Sequence, residues 1–169
     1  MQGTTDNNYD LVSRFYDRAA HVYSGGQIRA CKEAQMPEIK PGDRILYAGA
    51  GGGLDAALAA RAGAEVTVID LSAGMLERAR ETFRAHDVSQ QIEVIEGDVF
   101  EHTRPGHYDA VAANFFLNVF SEETMHRMLQ HLLEQLRPGG KLMVADFTPL
   151  SDAPVQRSVQ RLYFGIACT

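Results

Sequence analysis

The sequence is poor in cysteine, in clustered positive charge and in long apolar runs. Its two cysteines, Cys31 and Cys168, lie far apart without metal-ligand spacing, and the first ten residues show no basic segment followed by an apolar run. We therefore expect a reduced, cytoplasmic setting, with no export signal and no membrane-spanning segment. The formal net charge is −6 and no lysine or arginine cluster is present. This balance argues against nucleic acid as a partner, because such binding requires clustered cations that neutralise phosphates.

Metal chemistry is also not expected. His102 and His107 lie in a polar loop, where no histidine pair has helical i, i+4 spacing and no cysteine is near. At 169 residues, 45% of them hydrophobic, the chain is long enough for one well-formed core and too short for two ordinary domains. We expect one globular domain without a bound metal.

A glycine-rich turn between residues 44 and 58 organises the chain. An apolar run at 45–48 is followed by Gly49, Gly51 and Gly53, and then by a segment rich in alanine and leucine. This pattern predicts a strand, a tight turn and the start of a helix, because glycine adopts positive φ cheaply and lets a ligand lie against the backbone. The unpaired N–H groups of a helix start favour a small molecule with a polar or anionic end.

The glycine spacing separates two ligand classes. The dinucleotide fingerprint G-x-G-x-x-G has its third glycine five residues after the first, and that position here is Leu54. The sequence has G-x-G-x-G instead. In this it resembles the class I S-adenosylmethionine (SAM)-dependent methyltransferases, whose first motif has that form after a hydrophobic strand. A nicotinamide-dependent oxidoreductase and a structural loop in some other α/β protein stay open as alternatives.

Four further apolar runs predict an α/β fold with a doubly wound, mainly parallel sheet. The continuous run at 64–70 is typical of a strand covered on both faces, whereas the alternation at 91–98 favours a strand nearer an edge. The fourth and fifth strands are expected at 108–113 and 141–147, the latter after Pro138-Gly139-Gly140 ends a helix. Helices are expected at 9–23, at 27–36, after a cap at Ser72, and from Ser121.

Several later segments extend the resemblance. The sequence matches D-x-S-x-x-M-L-x-x-A at 70–79, G-D-x at 97–99 and L-x-P-G-G-x-L at 136–142. Asn118-Val119 and the run at 146–149 resemble the ubiquinone/menaquinone C-methyltransferase branch. The resemblance implies a Rossmann-like methyltransferase fold, with residues 1–40 as an N-terminal helical cap and residues 41–169 as the SAM-binding domain. It also implies a small-molecule methyl acceptor as substrate.

The resemblance further implies which residues hold SAM. Asp70, at the tip of the second strand, would accept hydrogen bonds from the ribose hydroxyls, and Asp98 would accept one from the adenine amine. Structural roles stay open: a helix cap for Asp70, core packing for Met75 and a turn for Asp98. The expected cofactor-binding residues are Tyr23, Ala48, Gly49, Gly51, Gly53, Asp70, Leu71, Met75, Asp98, Val99 and Asn114. No catalytic base is assigned.

The sequence departs from the family's pattern in two ways. Position 47, usually Asp or Glu, is Tyr47, so either another acid such as Asp55 substitutes or SAM affinity is reduced. A SAM-fold protein without catalytic activity is therefore a second hypothesis. In addition, we expect the last two strands of the family's seven-stranded sheet to be missing, which would leave the fifth strand as an exposed edge. We expect a fragment of a longer protein, or an edge that another chain covers in an oligomer.

Overall fold

The computed structural model describes residues 27–147 and 162–168. The predicted helix at 9–23, and with it Tyr23, lies outside the described residues. So does most of the cap that we expect at 1–40, and the division of the chain at residue 40 stays a prediction.

Six strands form one sheet in the order β3-β2-β1-β4-β5-β6. The first five strands are parallel to their neighbours, and β6 is antiparallel to β5. The strands are β1 Arg44–Ala48, β2 Glu65–Asp70, β3 Ile92–Glu96, β4 Tyr108–Asn114, β5 Leu136–Phe147 and β6 Leu162–Cys168. This confirms the predicted doubly wound, mainly parallel sheet with the third strand at an edge. The strand order reverses between β1 and β4, and in open α/β sheets ligands bind beyond the carboxyl ends of such strands.

Four α-helices connect and cover the strands in the described part of the chain. They are α1 Gln27–Glu33, α2 Leu54–Arg61, α3 Ala73–Ala85 and α4 Glu122–Gln135. Ser72 caps α3 by accepting a hydrogen bond from the Met75 amide at 3.2 Å, and Ser121 caps α4 in the same way. Both caps confirm the predicted helix starts, because serine satisfies an amide that has no partner within the helix.

The two faces of the sheet carry separate cores, and β1 contributes to both. Ile45 and Tyr47 pack with residues of α2 and α3, whereas Leu46 and Ala48 pack with residues of α4. Alternate residues of a strand point to opposite faces, so a strand covered on both sides is apolar throughout. Tyr47 is therefore a core residue on the α2 and α3 side.

The fifth strand differs from its prediction. It begins at Leu136, which pairs with Tyr108, and a register shift follows before Lys141 pairs with Ala110. The segment Pro138-Gly139-Gly140 therefore lies inside an irregular strand rather than in a loop. A bulge accommodates proline, because the missing amide is not needed for the ladder there.

The prediction that β5 is an exposed edge is wrong. β6 pairs with β5 from Lys141 to Phe147, so the backbone groups on that side of β5 have partners. The first described helix also differs from its prediction. α1 ends at Glu33, and Met36, the expected last residue of this helix, lies in a separate 3-10 helix at Met36–Glu38.

Candidate functional site

The turn after β1 is built on three glycines in the left-handed region. Gly49, Gly51 and Gly53 have φ values of 84°, 49° and 74°. The Gly49 amide donates to the Ile69 carbonyl at 2.9 Å, which ties the turn to the end of β2. A β-carbon built on Gly53 would lie 2.8 Å from the Phe83 ring and 2.9 Å from the Ala79 Cα, so this glycine permits the close packing of α2 on α3.

Asp70 faces this turn from the tip of β2. Its Oδ2 accepts a hydrogen bond from the Ala50 amide at 2.7 Å, and its Oδ1 accepts one from the Ser72 amide at 2.8 Å. The half-buried carboxylate thus joins the turn to the start of α3. A carboxylate has about four lone-pair positions, so each oxygen can accept a further hydrogen bond from a ligand hydroxyl.

The neighbouring strand ends supply further predicted residues. Leu71, directly after β2, is 72% exposed, and Met75 is half-buried on the first turn of α3. Asp98 follows β3 and accepts a hydrogen bond from the Phe100 amide at 2.9 Å. This is the turn role that the sequence leaves open for Asp98, and it uses only one of the carboxylate oxygens. An exposed apolar side chain and a carboxylate at the same edge fit a purine ring with an exocyclic amine.

A buried polar network lies at the carboxyl ends of β1 and β4. The Asn114 amide nitrogen donates to Asp55 at 3.2 Å, and Asn114 exchanges two hydrogen bonds with Gln35, at 2.7 and 2.8 Å. Asn114 Oδ1 also accepts from the Ala145 amide at 3.1 Å. Asp55 is only 4% exposed and pairs with the Lys32 ammonium at 3.2 Å. Because both polar atoms of the Asn114 side-chain amide are engaged within the chain, this side chain primarily orients Asp55.

Tyr47 stands where the resemblance leads us to expect an acid. Its side chain is 3% exposed, and its hydroxyl donates to the Asp55 carbonyl at 3.3 Å. Burial, together with the negative charge of Asp55, raises the pKa of Tyr47 well above its usual value. Tyr47 is therefore a neutral core residue, and it does not take the place of the acid that the resemblance leads us to expect.

Aromatic side chains after β4 border the turn. A β-carbon built on Gly49 would lie 2.9 Å from Phe116 Cδ2, so this ring lies directly against the first glycine. Phe116 meets Phe120 edge to face at 5.1 Å, and Val119 is 67% exposed. Phe115 has a φ of 55°, which is uncommon for a bulky residue and typical of functional sites. Phe116, with Phe120 packed on it, therefore borders the glycine turn with aromatic surface.

A separate polar cavity lies at the opposite edge of the sheet. It has a volume of about 380 Å³ and is lined by residues at the amino ends of four strands, among them Arg44, Glu65, Glu93 and Tyr108. Ligands of open parallel sheets bind at the carboxyl ends of the strands, so this cavity lies at the wrong end for a nucleoside. Among the described residues, no cluster of three or more His, Cys, Asp or Glu side chains is placed to hold a metal ion. None of the described helices is long and apolar enough to span a membrane.

The fold brings the described members of the predicted cofactor set to one edge of the sheet. Each is either the last residue of a strand or lies in the segment that follows one: Ala48, Gly49, Gly51, Gly53, Asp70, Leu71, Met75, Asp98, Val99 and Asn114. Ala48 and Val99 are buried, so only their backbone groups are available to a ligand. Among the described residues, a β-carbon on Gly51 would meet only Lys32, and one on Gly97 would meet nothing within 4 Å. The residues therefore fit a nucleoside with an amino-acid end.

Sequence reasoning missed Lys32 and Gln35. Both come from the segment before β1, and both reach the site through contacts with residues far along the chain. Nothing in their local sequence pattern marks them. The sequence suggests Asp55 only as a substitute for the acid missing at position 47, and the structure places it in the first turn of α2 beside the glycine turn.

The comparisons with known proteins match this chain to methyltransferases. A family described as a methyltransferase domain matches residues 45–140, more than half of the chain. The demethylmenaquinone methyltransferase of Clavibacter sepedonicus is 32% identical over 149 residues, which is 86% of this chain and 59% of that protein. A ubiquinone/menaquinone biosynthesis C-methyltransferase of Cereibacter sphaeroides is 28% identical and covers 97% of this chain and 67% of its own length.

One solved structure adds a likeness of fold. The SAM-dependent methyltransferase from Thiobacillus denitrificans, in complex with S-adenosyl-L-homocysteine, has a TM-score of 0.62 at 23% identity. The match covers 75% of this chain and 52% of that one. The chain spans about three fifths of the length of the first curated relatives that it matches.

Proposed function

This chain belongs to the methyltransferase-domain family, and from that premise we propose that it binds SAM and transfers the methyl group to a small-molecule acceptor. The observation that carries the proposal is the carboxylate of Asp70 directed at the glycine turn, where its oxygen accepts the Ala50 amide at 2.7 Å. Hydrogen bonds thereby join the carboxyl ends of β1 and β2 beside the point where the strand order reverses.

We assign the parts of SAM to different strand ends. The glycine turn would lie under the amino-acid end, Asp70 would accept the ribose hydroxyls, and Leu71 with Met75 would cover the adenine. Asp98 would accept the adenine amine through the carboxylate oxygen that Phe100 leaves available. When bound, SAM supplies a methyl group that its positive sulfur already activates. The chain's own task is to align the acceptor with that methyl group and to exclude water.

We propose a quinone-like ring as the acceptor class. Two matched relatives are named for menaquinone or ubiquinone methylation. In this chain Phe116 against the glycine turn, with Phe120 packed on it, fits an aromatic, lipophilic acceptor, because aromatic rings pack well against one another edge to face. We assign no general base, and catalysis would rest on the alignment of donor and acceptor.

A thermal-shift experiment followed by a transfer assay tests this function. SAM and S-adenosylhomocysteine should each raise the melting temperature, because a ligand that binds only the native state must stabilise it. NADH should not raise it. The protein should then transfer isotope-labelled methyl from SAM to a reduced naphthoquinone acceptor. Stabilisation by NADH alone would favour an oxidoreductase, and SAM binding without transfer to any acceptor would favour an inactive SAM-binding protein.

Two finer expectations belong to the same proposal. We infer a cytoplasmic location, since the two cysteines lack any spacing that would suggest a disulfide or metal framework. We also keep a homo-oligomer as an expectation. Cell fractionation tests the first, and sedimentation of the purified full chain tests the second.

A further inference from the structure

Lys32 lies over the glycine turn although it comes from the helix before the sheet. Its ammonium is 3.6 Å from a β-carbon built on Gly51 and 3.2 Å from Asp55 Oδ2. The Lys32 side chain is 19% exposed, so the charge is largely but not fully withdrawn from water. The ammonium thus lies where the amino-acid end of a nucleoside ligand would meet the turn.

The chain holds this lysine with a supporting set of buried polar groups. Asp55 accepts from Lys32 and from Asn114, and Asn114 is fixed by its two hydrogen bonds to the fully buried Gln35. Burying an ion pair usually contributes little net stability, because desolvation offsets the attraction between the charges. Stability of the fold alone therefore gives little reason to bury this pair, and a ligand that Lys32 contacts would give one.

The chemistry of the pair selects one part of the ligand. An ammonium group has three donors, and among the described residues only Asp55 takes one of them from Lys32. The remaining donors suit an anion that approaches over Gly51. SAM carries one such group, the α-carboxylate of its amino-acid end. Position 47 provides no charged group here, because Tyr47 is buried and its hydroxyl is turned to the Asp55 carbonyl.

We propose that Lys32 binds the α-carboxylate of SAM, with Asp55 as the positioning residue that holds Lys32 over the glycine turn. The inference rests on the proposed function, since it concerns the same site. Lys32 would then supply the charged contact that is missing at position 47. A lysine contacts the carboxylate of the amino-acid end of SAM, whereas an acid would contact its ammonium.

Affinity for ligands that differ in one group tests the proposal. Calorimetry on the full chain would compare SAM, decarboxylated SAM, which lacks only the carboxylate, and 5′-methylthioadenosine, which lacks the whole amino-acid end. Lys32→Met should weaken SAM binding about 10- to 100-fold, as expected for a lost charge-assisted hydrogen bond. It should change the affinity for the other two ligands less than about twofold, and Lys32→Arg should retain most of the SAM affinity.

Two further variants control for folding. Arg29→Met breaks an exposed ion pair with Glu33 on the same short helix and should leave all three affinities unchanged. If Lys32→Met does not fold because Asp55 is left unpaired, the double variant Lys32→Met, Asp55→Asn removes both charges together. It should show the same selective loss for SAM.

The outcomes separate the two claims. A loss confined to the ligand with a carboxylate supports the proposal. Equal losses for SAM and decarboxylated SAM, or no loss for either, overturn the role of Lys32 and leave the proposed function standing. Failure of the wild-type chain to bind SAM and 5′-methylthioadenosine alike would overturn the proposed function itself, and this inference with it.

Discussion

Asp70 and Ala50 are joined by a hydrogen bond of 2.7 Å from the Ala50 amide to the Asp70 carboxylate. The two residues are 20 positions apart and lie at the ends of neighbouring parallel strands. The contact means that the carboxylate shapes the glycine turn and stays available to a ligand above it. A substitution at Asp70 should therefore affect both stability and ligand binding.

We expect Asp70→Ala to weaken SAM binding by about 1–3 kcal/mol, through loss of hydrogen bonds to a charged acceptor. Its free energy of unfolding should also fall by about 1–2 kcal/mol, because the Ala50 and Ser72 amides lose their acceptor. Calorimetry and denaturant unfolding measure the two effects. Asp43→Ala is the matched control, since Asp43 also accepts a backbone amide, that of Lys40 at 2.8 Å, but outside the site. Unchanged SAM affinity in Asp70→Ala would contradict the assignment.

Gly53→Ala should lower the free energy of unfolding by about 2–4 kcal/mol, from a strained left-handed backbone and overpacking together. The new methyl would lie 2.8 Å from Phe83 and 2.9 Å from the backbone of Ala79. Gly97→Ala is the control, because its β-carbon would meet nothing within 4 Å in the part of the chain that the structure describes, and its change should stay within about 0.5 kcal/mol. Chemical denaturation gives the free energy of unfolding of both variants. Equal values for Gly53→Ala and Gly97→Ala would show that α2 and α3 do not pack as described.

Asp87→Gly should stabilise the protein by about 0.5–1 kcal/mol, because glycine relieves the strain of a left-handed backbone. Asp87 follows the end of α3 with a φ of 58°, and the Val88 amide donates back to the Phe83 carbonyl at 3.0 Å. This is the C-terminal helix motif that glycine fits best, because it has no Cβ. Asp87→Ala removes the same charge and keeps the strain, so it should not stabilise. Thermal unfolding of both variants measures these effects. If the alanine variant were also stabilised, loss of the Asp87 charge and not relief of backbone strain would be the cause.

The Asp109 carboxylate should account for part of the stability that the fold loses at acidic pH. Burial raises the pKa of Asp109, but the Arg44 backbone amide and the Arg137 guanidinium outweigh it and hold that pKa below its usual value of 3.8. A lowered pKa in the folded state gives stability that is present above pH 3.8 and is lost as the pH falls through the folded pKa. Asp109→Asn should therefore destabilise the protein clearly at pH 7 and much less near pH ~2–3.

Urea unfolding at several pH values tests the Asp109 prediction. Glu101→Gln is a suitable control, because Glu101 is exposed at the surface. An equal loss of stability for Asp109→Asn at neutral and at acidic pH would show that the carboxylate charge makes no contribution.

Local sequence pattern is sufficient to predict most of the fold. The continuous β-branched run that ends at Asp70 and the serine caps at Ser72 and Ser121 are features of near neighbours in sequence, and the structure has them at the predicted positions. The edge position of β3 also follows from its alternation. Pairings between distant segments do not follow in the same way. β6 covers β5 across an intervening stretch of chain, and the bulge around Pro138 depends on how Leu136 meets Tyr108.

The candidate site is predictable only where it follows the strand ends. Parallel strands place their carboxyl ends together, so the glycine turn and Asp70 can be brought together from sequence. The Gln35–Asn114 pair joins residues 79 positions apart, and the Lys32–Asp55 pair depends on where tertiary packing places α1. Such contacts have no local signature, because tertiary packing alone determines them.

A crystal structure of the protein with S-adenosylhomocysteine would test the central claim most directly. The account predicts the amino-acid end over Gly49, Gly51 and Gly53, with a ribose hydroxyl oxygen about 2.5–3.0 Å from the Asp70 carboxylate. A nucleoside bound elsewhere, or one whose ribose makes no contact with Asp70, would contradict it.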